Sequence, residues 1–192
     1  STAKFAVAPA TETGPGTLYV IANGVASTGV EVTVGTGFPL SLSESGSGTV
    51  TSAPAGIDCP GTCDANFAAR TRVTLTAAPA AGWRFSGWGG ACAGIGACKV
   101  TVNAAKSVAA TFTQFFGLTV SKSGRGRVTS RPAGIACGKN CSADFAAATT
   151  VALRASAAAG WHFAGWGGAC SGTARCRVSL EAAAGVTALF EK

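Results

Sequence analysis

Gly82-Trp83-Arg84-Phe85-Ser86-Gly87-Trp88-Gly89-Gly90-Ala91-Cys92 is the stretch on which the fold of this chain turns. It recurs as Gly160-Trp161-His162-Phe163-Ala164-Gly165-Trp166-Gly167-Gly168-Ala169-Cys170. Each copy sets two Trp and a Phe among four glycines and one Cys. Large rings beside glycines require bulky packing next to a backbone that turns sharply or is closely approached. A further cysteine follows each copy after a Gly-rich loop, at Cys98 and Cys176. The stretch reads as the buried knot of a small β module present twice.

Outward from the knot, the eight cysteines fall into two matching sets. Cys59, Cys63, Cys92 and Cys98 form the first; Cys137, Cys141, Cys170 and Cys176 form the second, each displaced by the same 78 positions. Two chemistries fit four cysteines so spaced: two disulfides per module, or a tetrahedral zinc site. The disulfide reading is favoured, because small Cys-paired modules belong to oxidising compartments and these spacings are looser than common zinc knuckles. Spacing leaves connectivity open. Crossed pairs closing long loops restrict the unfolded chain more, but the short glycine-bearing loops favour the local pairs Cys59–Cys63 and Cys92–Cys98.

The rest of each module reads as strands. Leu40-Ser41-Leu42 and Leu118-Thr119-Val120 open the copies, and return strands follow the turns Gly46-Ser47-Gly48 and Gly124-Arg125-Gly126. Val73-Thr74-Leu75-Thr76-Ala77 and Val151-Ala152-Leu153-Arg154-Ala155 alternate as half-buried strands. Cys98–Val102 with Val108–Phe112, and Cys176–Leu180 with Val186–Phe190, close the modules. The Ala-rich pieces are broken by Pro and Gly and lack a helical apolar face. The fold class expected is therefore all-β, a small antiparallel sheet per module, with at most a helical turn near Phe67 or Phe145. The expected divisions are 1–39, 40–117 and 118–192.

Ahead of the repeats, residues 1–15 read as a loose leader. Leu18–Ala22 and Val30–Val34 read as a hairpin around the turn-forming residues 23–29. A lone hairpin is marginal in water, so it needs a partner sheet: the first repeat, an upstream domain or another chain. The segment Leu18 to Val34 resembles closing strands of extracellular β domains in large bacterial secreted proteins.

Taken together, L-x-V-x-x-x-G-x-G-x-V, P-x-G-I-x-C-x-x-x-C, V-x-L-x-A, G-W-x-F-x-G-W-x-G-x-C and C-x-V with V-x-A-x-F over residues 40–192 resemble the divergent internalin B-repeat family. The resemblance implies a compact β-sheet module, related in shape to the β-grasp. It implies a spacer or adhesion unit of secreted and surface-anchored bacterial proteins, with no catalytic residues to carry over.

Charge and composition narrow the function classes. The net charge is +7, and residues 118–192 hold nine of the 15 basic groups with only three of the eight acidic ones. Basicity is thus a property of the second copy. Absence of Met points to a processed product or an excised fragment. No apolar run reaches membrane-spanning length. The single histidine, His162, aligns with Arg84, which suits a solvent-facing strand site better than a general base. Asp64 and Asn66 supply too few oxygens for a calcium cage. Neither catalytic nor cofactor nor metal residues are assigned, and no enzyme activity is expected.

Two binding readings stand beside plain structural ones. Trp83, Trp88, Trp161 and Trp166 are candidates for glycan stacking, against the more economical reading that they are core. Arg125, Arg127, Arg131, Arg175 and Arg177 are candidates for a polyanion surface, acidic polysaccharide ahead of nucleic acid, against a solvated edge that blocks strand pairing. The function expected is that of a secreted, non-catalytic structural or adhesion unit of a bacterial surface or fibre. Self-association or attachment to an upstream domain would run through the N-terminal strands. The alternative is an accessory tail of a larger secreted enzyme that binds glycan or polyanion.

Overall fold

The computed structural model describes residues 37–192, together with the backbone of four short strands nearer the N-terminus. Those strands are β1 (Gly14–Leu18), β2 (Ile21–Ala22), β3 (Val25–Ala26) and β4 (Val30–Val34). β1 pairs antiparallel with β4, Leu18 opposite Val30 and Gly14 opposite Val34, while β2 pairs with β3. The outer strand therefore begins at Gly14, within the stretch expected to be leader. The register of the inner pair, Ile21 opposite Ala26, is one residue out of step with that of the outer pair, Leu18 opposite Val30. Residues 1–13 of the expected leader, and 23–24 and 27–29 of the expected turn, lie outside the described residues.

The first repeat follows as β5 (Phe38–Ser45), β6 (Gly48–Ala53), β7 (Asp58–Cys59), β8 (Asp64–Phe67), β9 (Thr71–Pro79), β10 (Trp83–Gly90) and β11 (Cys98–Val102). A long strand, β12 (Lys106–Ser123), leads into the second repeat. That repeat continues as β13 (Gly126–Arg131), β14 (Ala136–Cys137), β15 (Ser142–Ala146), β16 (Thr150–Ala157), β17 (His162–Gly168), β18 (Cys176–Ser179) and β19 (Ala184–Glu191). The described residues hold strands and turns and no helix.

Each repeat has a four-stranded sheet of its own, and its remaining strands pair through β12. In the first the orders are β11-β9-β6-β7 and β10-β12-β5-β8; in the second, β14-β13-β16-β18 and β17-β19-β12-β15. Burial alternates along the strands as half-buried sheets require: β19 hides Val186, Ala188 and Phe190, and β11 hides Cys98, Val100 and Val102. Each such Val, Leu or Phe contributes about 1.5–3 kcal/mol on burial. In the second repeat Leu118, Val128, Val151, Leu153, Leu180 and Phe190 form one core with Trp166 and Cys137.

Three features depart from the expected pattern. Phe67 and Phe145 lie in β8 and β15, not in helical turns. β15 is held antiparallel to β12 from Phe115–Ala146 to Thr119–Ser142, and both Phe side chains are buried. The sheet containing β12 is not purely antiparallel, because β19 runs parallel to β12, Leu118 opposite Ala184 and Ser123 opposite Leu189. Finally, no turn separates the repeats at Gly117. Gln114-Phe115-Phe116-Gly117 carries two aromatic strand formers and no Pro, and the last strand of one copy runs on as the first of the next.

The chain resolves into two compact units. One comprises the described residues up to Glu44, 49–77 and 87–110; the other comprises 45–48, 78–86 and 111–192. The second unit thus takes in a turn and part of the aromatic stretch from the first copy.

Candidate functional site

The cysteines are the plainest local chemistry. Cys59 pairs with Cys63, Cys92 with Cys98, Cys137 with Cys141 and Cys170 with Cys176, leaving no free thiol. Every pair is local, and oxidised sulfur offers no thiolate to zinc. In each pair one sulfur residue is buried and its partner is half-buried. Among the described residues no group of His, Cys, Asp or Glu is placed to hold a metal ion, and no helix is long and apolar enough to cross a membrane.

The aromatic knot depends on a β-bulge. Phe163 faces Phe190 and Trp166 faces Ala188, with the register slipping by one residue before Gly165. In a regular strand residues 163 and 166 would face opposite sides. The extra residue reverses that parity, so both rings turn to the core side, with centroids 4.8 Å apart. Phe163 also meets Phe190 at 5.5 Å. The Trp166 indole Nε1–H donates to the Ala174 carbonyl at 2.9 Å, and Trp88 makes the same bond to Gly96 at 2.8 Å. Trp88 and Trp166 are 7% and 8% exposed, which leaves no ring face for stacking a sugar or a base. Trp83 and Trp161 are half-buried.

Arg84 and His162, aligned in sequence, both face solvent. Arg84 donates to Asp144 at 2.9 Å and lies 4.1 Å from the centre of the Phe115 ring, within the second unit. Both partners are 56% exposed, so this ion pair contributes at most about 1 kcal/mol. His162 Nε2 stands 3.9 Å from Glu191 Oε2 on the neighbouring strand, equally in the open.

The basic residues of the second repeat separate into three groups. Arg125 lies in the turn ahead of β13 and does not share its face. Arg127 and Arg131 do, on the exposed side between buried Val128 and its neighbours. Arg175 sits in the loop before β18, and Arg177 on β18 opposite Ala152. Arg131 is also opposite Ala152, from the other side. An open groove of about 670 Å³ lies in this unit, lined by Arg131, Arg154 and Arg175 among others. That volume falls within the roughly 300–1,000 Å³ usual for ligand sites. Sequence reasoning does not single out Arg154. It sits on alternating strand β16 next to a small alanine, and its value lies in register: Thr129 stands opposite, beside Arg131. A single sequence shows alternation but not which strand lies alongside.

Among the described residues the Arg–carboxylate ion pair is Arg84–Asp144, so no carboxylate is paired with the arginines of the groove. One buried polar atom stands apart from all this. Glu44 Oε1 is enclosed without a hydrogen-bond partner, and burial pushes its carboxyl above the ordinary value of 4.5.

Comparison with known proteins bears on the repeats. No curated protein matches the chain. Among solved structures, the Bacillus anthracis TIE protein is similar over 92% of this chain at 10% identity and a TM-score of 0.34. The chain spans 40% of that protein's length. The family model described as the divergent InlB B-repeat domain matches twice, over residues 38–115 and 116–192. The two gapless copies, each with its paired cysteines and its Trp-Phe-Gly knot, thus have a common origin, and this chain belongs to the divergent InlB B-repeat family.

Proposed function

We propose that this chain is a non-catalytic segment of an extracellular bacterial surface protein, in which tandem disulfide-closed β repeats serve as a structural or adhesive unit. The observation that carries the reading is the repeat itself. The same small core, closed by the same two local disulfides, is built twice in one chain, as a repeated structural unit would be. Disulfides persist in oxidising surroundings, which supports a place outside the cytoplasm. The basic residues and the lone exposed histidine offer no convergent acid, base and nucleophile set.

The N-terminal strands are the proposed joining element. A chain whose strands complete a neighbour's sheet assembles head to tail. Electron microscopy with light scattering on the chain from Ser1 and on a form beginning at Phe38 tests this. Filaments or defined oligomers from the longer chain and monomers from the shorter are expected. Monomers from both would remove assembly from the proposal and leave a spacer. Antibody labelling of intact cells of the source bacterium tests location: surface labelling is expected, and labelling only after lysis would overturn it.

A further inference from the structure

We propose that the groove lined by Arg131, Arg154 and Arg175 is a binding site for an acidic polysaccharide, and that it belongs to the second repeat alone. The site lies where four separate segments meet. Arg131 comes from β13, Arg154 from the centre of β16, Arg175 from the loop before β18, and Phe163 with Trp166 from β17. Three arginines line one concavity with no carboxylate among the lining residues, and their charge makes a positive field that calls for anionic groups. Guanidinium binds carboxylate and sulfate through paired N–H donors.

Repeat comparison separates this arrangement from a generic feature of the fold. The positions equivalent to Arg131, Arg154 and Arg175 in the first copy are Ala53, Thr76 and Ala97. Around them most of the frame is kept: Thr129, Ser130, Leu153, Phe163 and Trp166 match Thr51, Ser52, Leu75, Phe85 and Trp88, while Ala152, Thr173 and Ala174 stand where the first copy has Thr74, Ile95 and Gly96. The module therefore folds without these arginines, and their presence is not a requirement of its core. Nor do they all guard a sheet edge. β16 is hydrogen-bonded on both sides, to β13 and β18, so Arg154 has no free edge to protect.

Polysaccharide fits the groove better than nucleic acid. Thr129 and Thr173 bring hydroxyls to the lining, suited to sugar hydroxyls and ring oxygens, whereas the Ser130 hydroxyl is held by Pro132 and Ile135. Single-stranded nucleic acid is held by exposed aromatic platforms. Here Trp166 is 8% exposed, packed on Phe163 and hydrogen-bonded to Ala174, so it offers no stacking face. The choice of glycan rests on the proposed extracellular location, whereas the binding measurement does not depend on assembly.

The test is calorimetric titration of the whole chain with galacturonate oligomers of defined length. The comparison ligands are the same oligomers with carboxyls reduced to alcohols, and single-stranded DNA of equal charge. Binding of the acidic oligomer, at least tenfold stronger than of the reduced one and weakening as salt rises, is expected. A combined Arg131→Ala, Arg154→Thr and Arg175→Ala variant restores the residues of the first copy, so its melting temperature should stay close to the parent's. Its affinity should fall by tenfold or more. A charge-matched variant, Lys122→Ala, Arg125→Ser and Lys139→Ala, lies outside the groove and should lose less than threefold. No binding of the oligomer at millimolar concentration, equal losses in the two variants, or DNA binding as tight as oligomer binding would each overturn the proposal. Failure here leaves the filament result untouched, so the two readings fall separately.

Discussion

At the residue scale, two glycines carry more of the fold than any charged group. Gly46 and Gly124 turn their hairpins with φ of +90° and +82°. A Cβ at Gly124 would also strike the Phe190 carbonyl and the Trp161 ring, as one at Gly46 would strike the Phe112 carbonyl and Trp83. Gly124→Ala combines left-handed strain with overpacking and should cost about 2–4 kcal/mol, measured by urea unfolding; a loss below about 1 kcal/mol would contradict this geometry. Glu44 gives a pH signature of opposite character. Because burial raises its folded pKa, the native state is penalised for ionising it. That penalty is absent below the ordinary value of 4.5, grows as pH rises through it, and persists above the raised folded value. Glu44→Gln should therefore raise the melting temperature more at pH 7 than at pH 3. An equal gain at both pH values would mean that ionisation is not the cause.

At the element scale, the bulge in β17 and the disulfide after it act together. The bulge turns Phe163 and Trp166 to one side, and the Trp166 indole then ties down the loop at Ala174. Cys170–Cys176 closes that same loop, six residues apart in sequence. Replacing both cysteines by Ala should cost about 2 kcal/mol by the chain-entropy estimate. It should also loosen Thr173 and Arg175, so hydrogen exchange of the loop should speed up while β19 stays protected. Uniform loss of protection would instead mark the disulfide as essential to the whole core. Alternation and the paired aromatics are legible in the sequence. The bulge is not, since Gly165 permits an irregular strand but does not place the extra residue. Continuity of β12 is equally hidden: the division expected between residues 117 and 118 falls inside one strand, which β15 pairs on both sides of Gly117 and keeps extended.

At the scale of the whole molecule, stability rests on small cores and four local cross-links. Modules of about 75 residues carry limited apolar burial, and cross-links offset part of the chain entropy. Melting with and without a reducing agent measures that share. Removal of all four disulfides should lower the melting temperature on the order of 20 °C; an unchanged melt would show that the β cores suffice. Charge is distributed at this scale too. The excess positive charge belongs to residues 118–192, and any anionic partner is expected to bind there with strong salt dependence.

The all-β class, the two copies and the Trp-Phe-Gly knot were determined by the chain itself. Alternation of period two, paired cysteines and ring-beside-glycine stretches are local patterns, and local patterns are written in order along a sequence. Spacing also favours local disulfides, because loops this short and glycine-rich close easily. Only the tertiary structure decided what depends on pairing at a distance: the parallel match of β19 with β12, the absence of a break at Gly117, and the meeting of Arg131, Arg154 and Arg175 around one groove. Arg125, Arg127 and Arg177 look as good as Arg131 in the sequence, and Arg154 has nothing there to mark it. Which arginines converge is set by strand register and by one loop, and neither has a local cause that a single sequence displays.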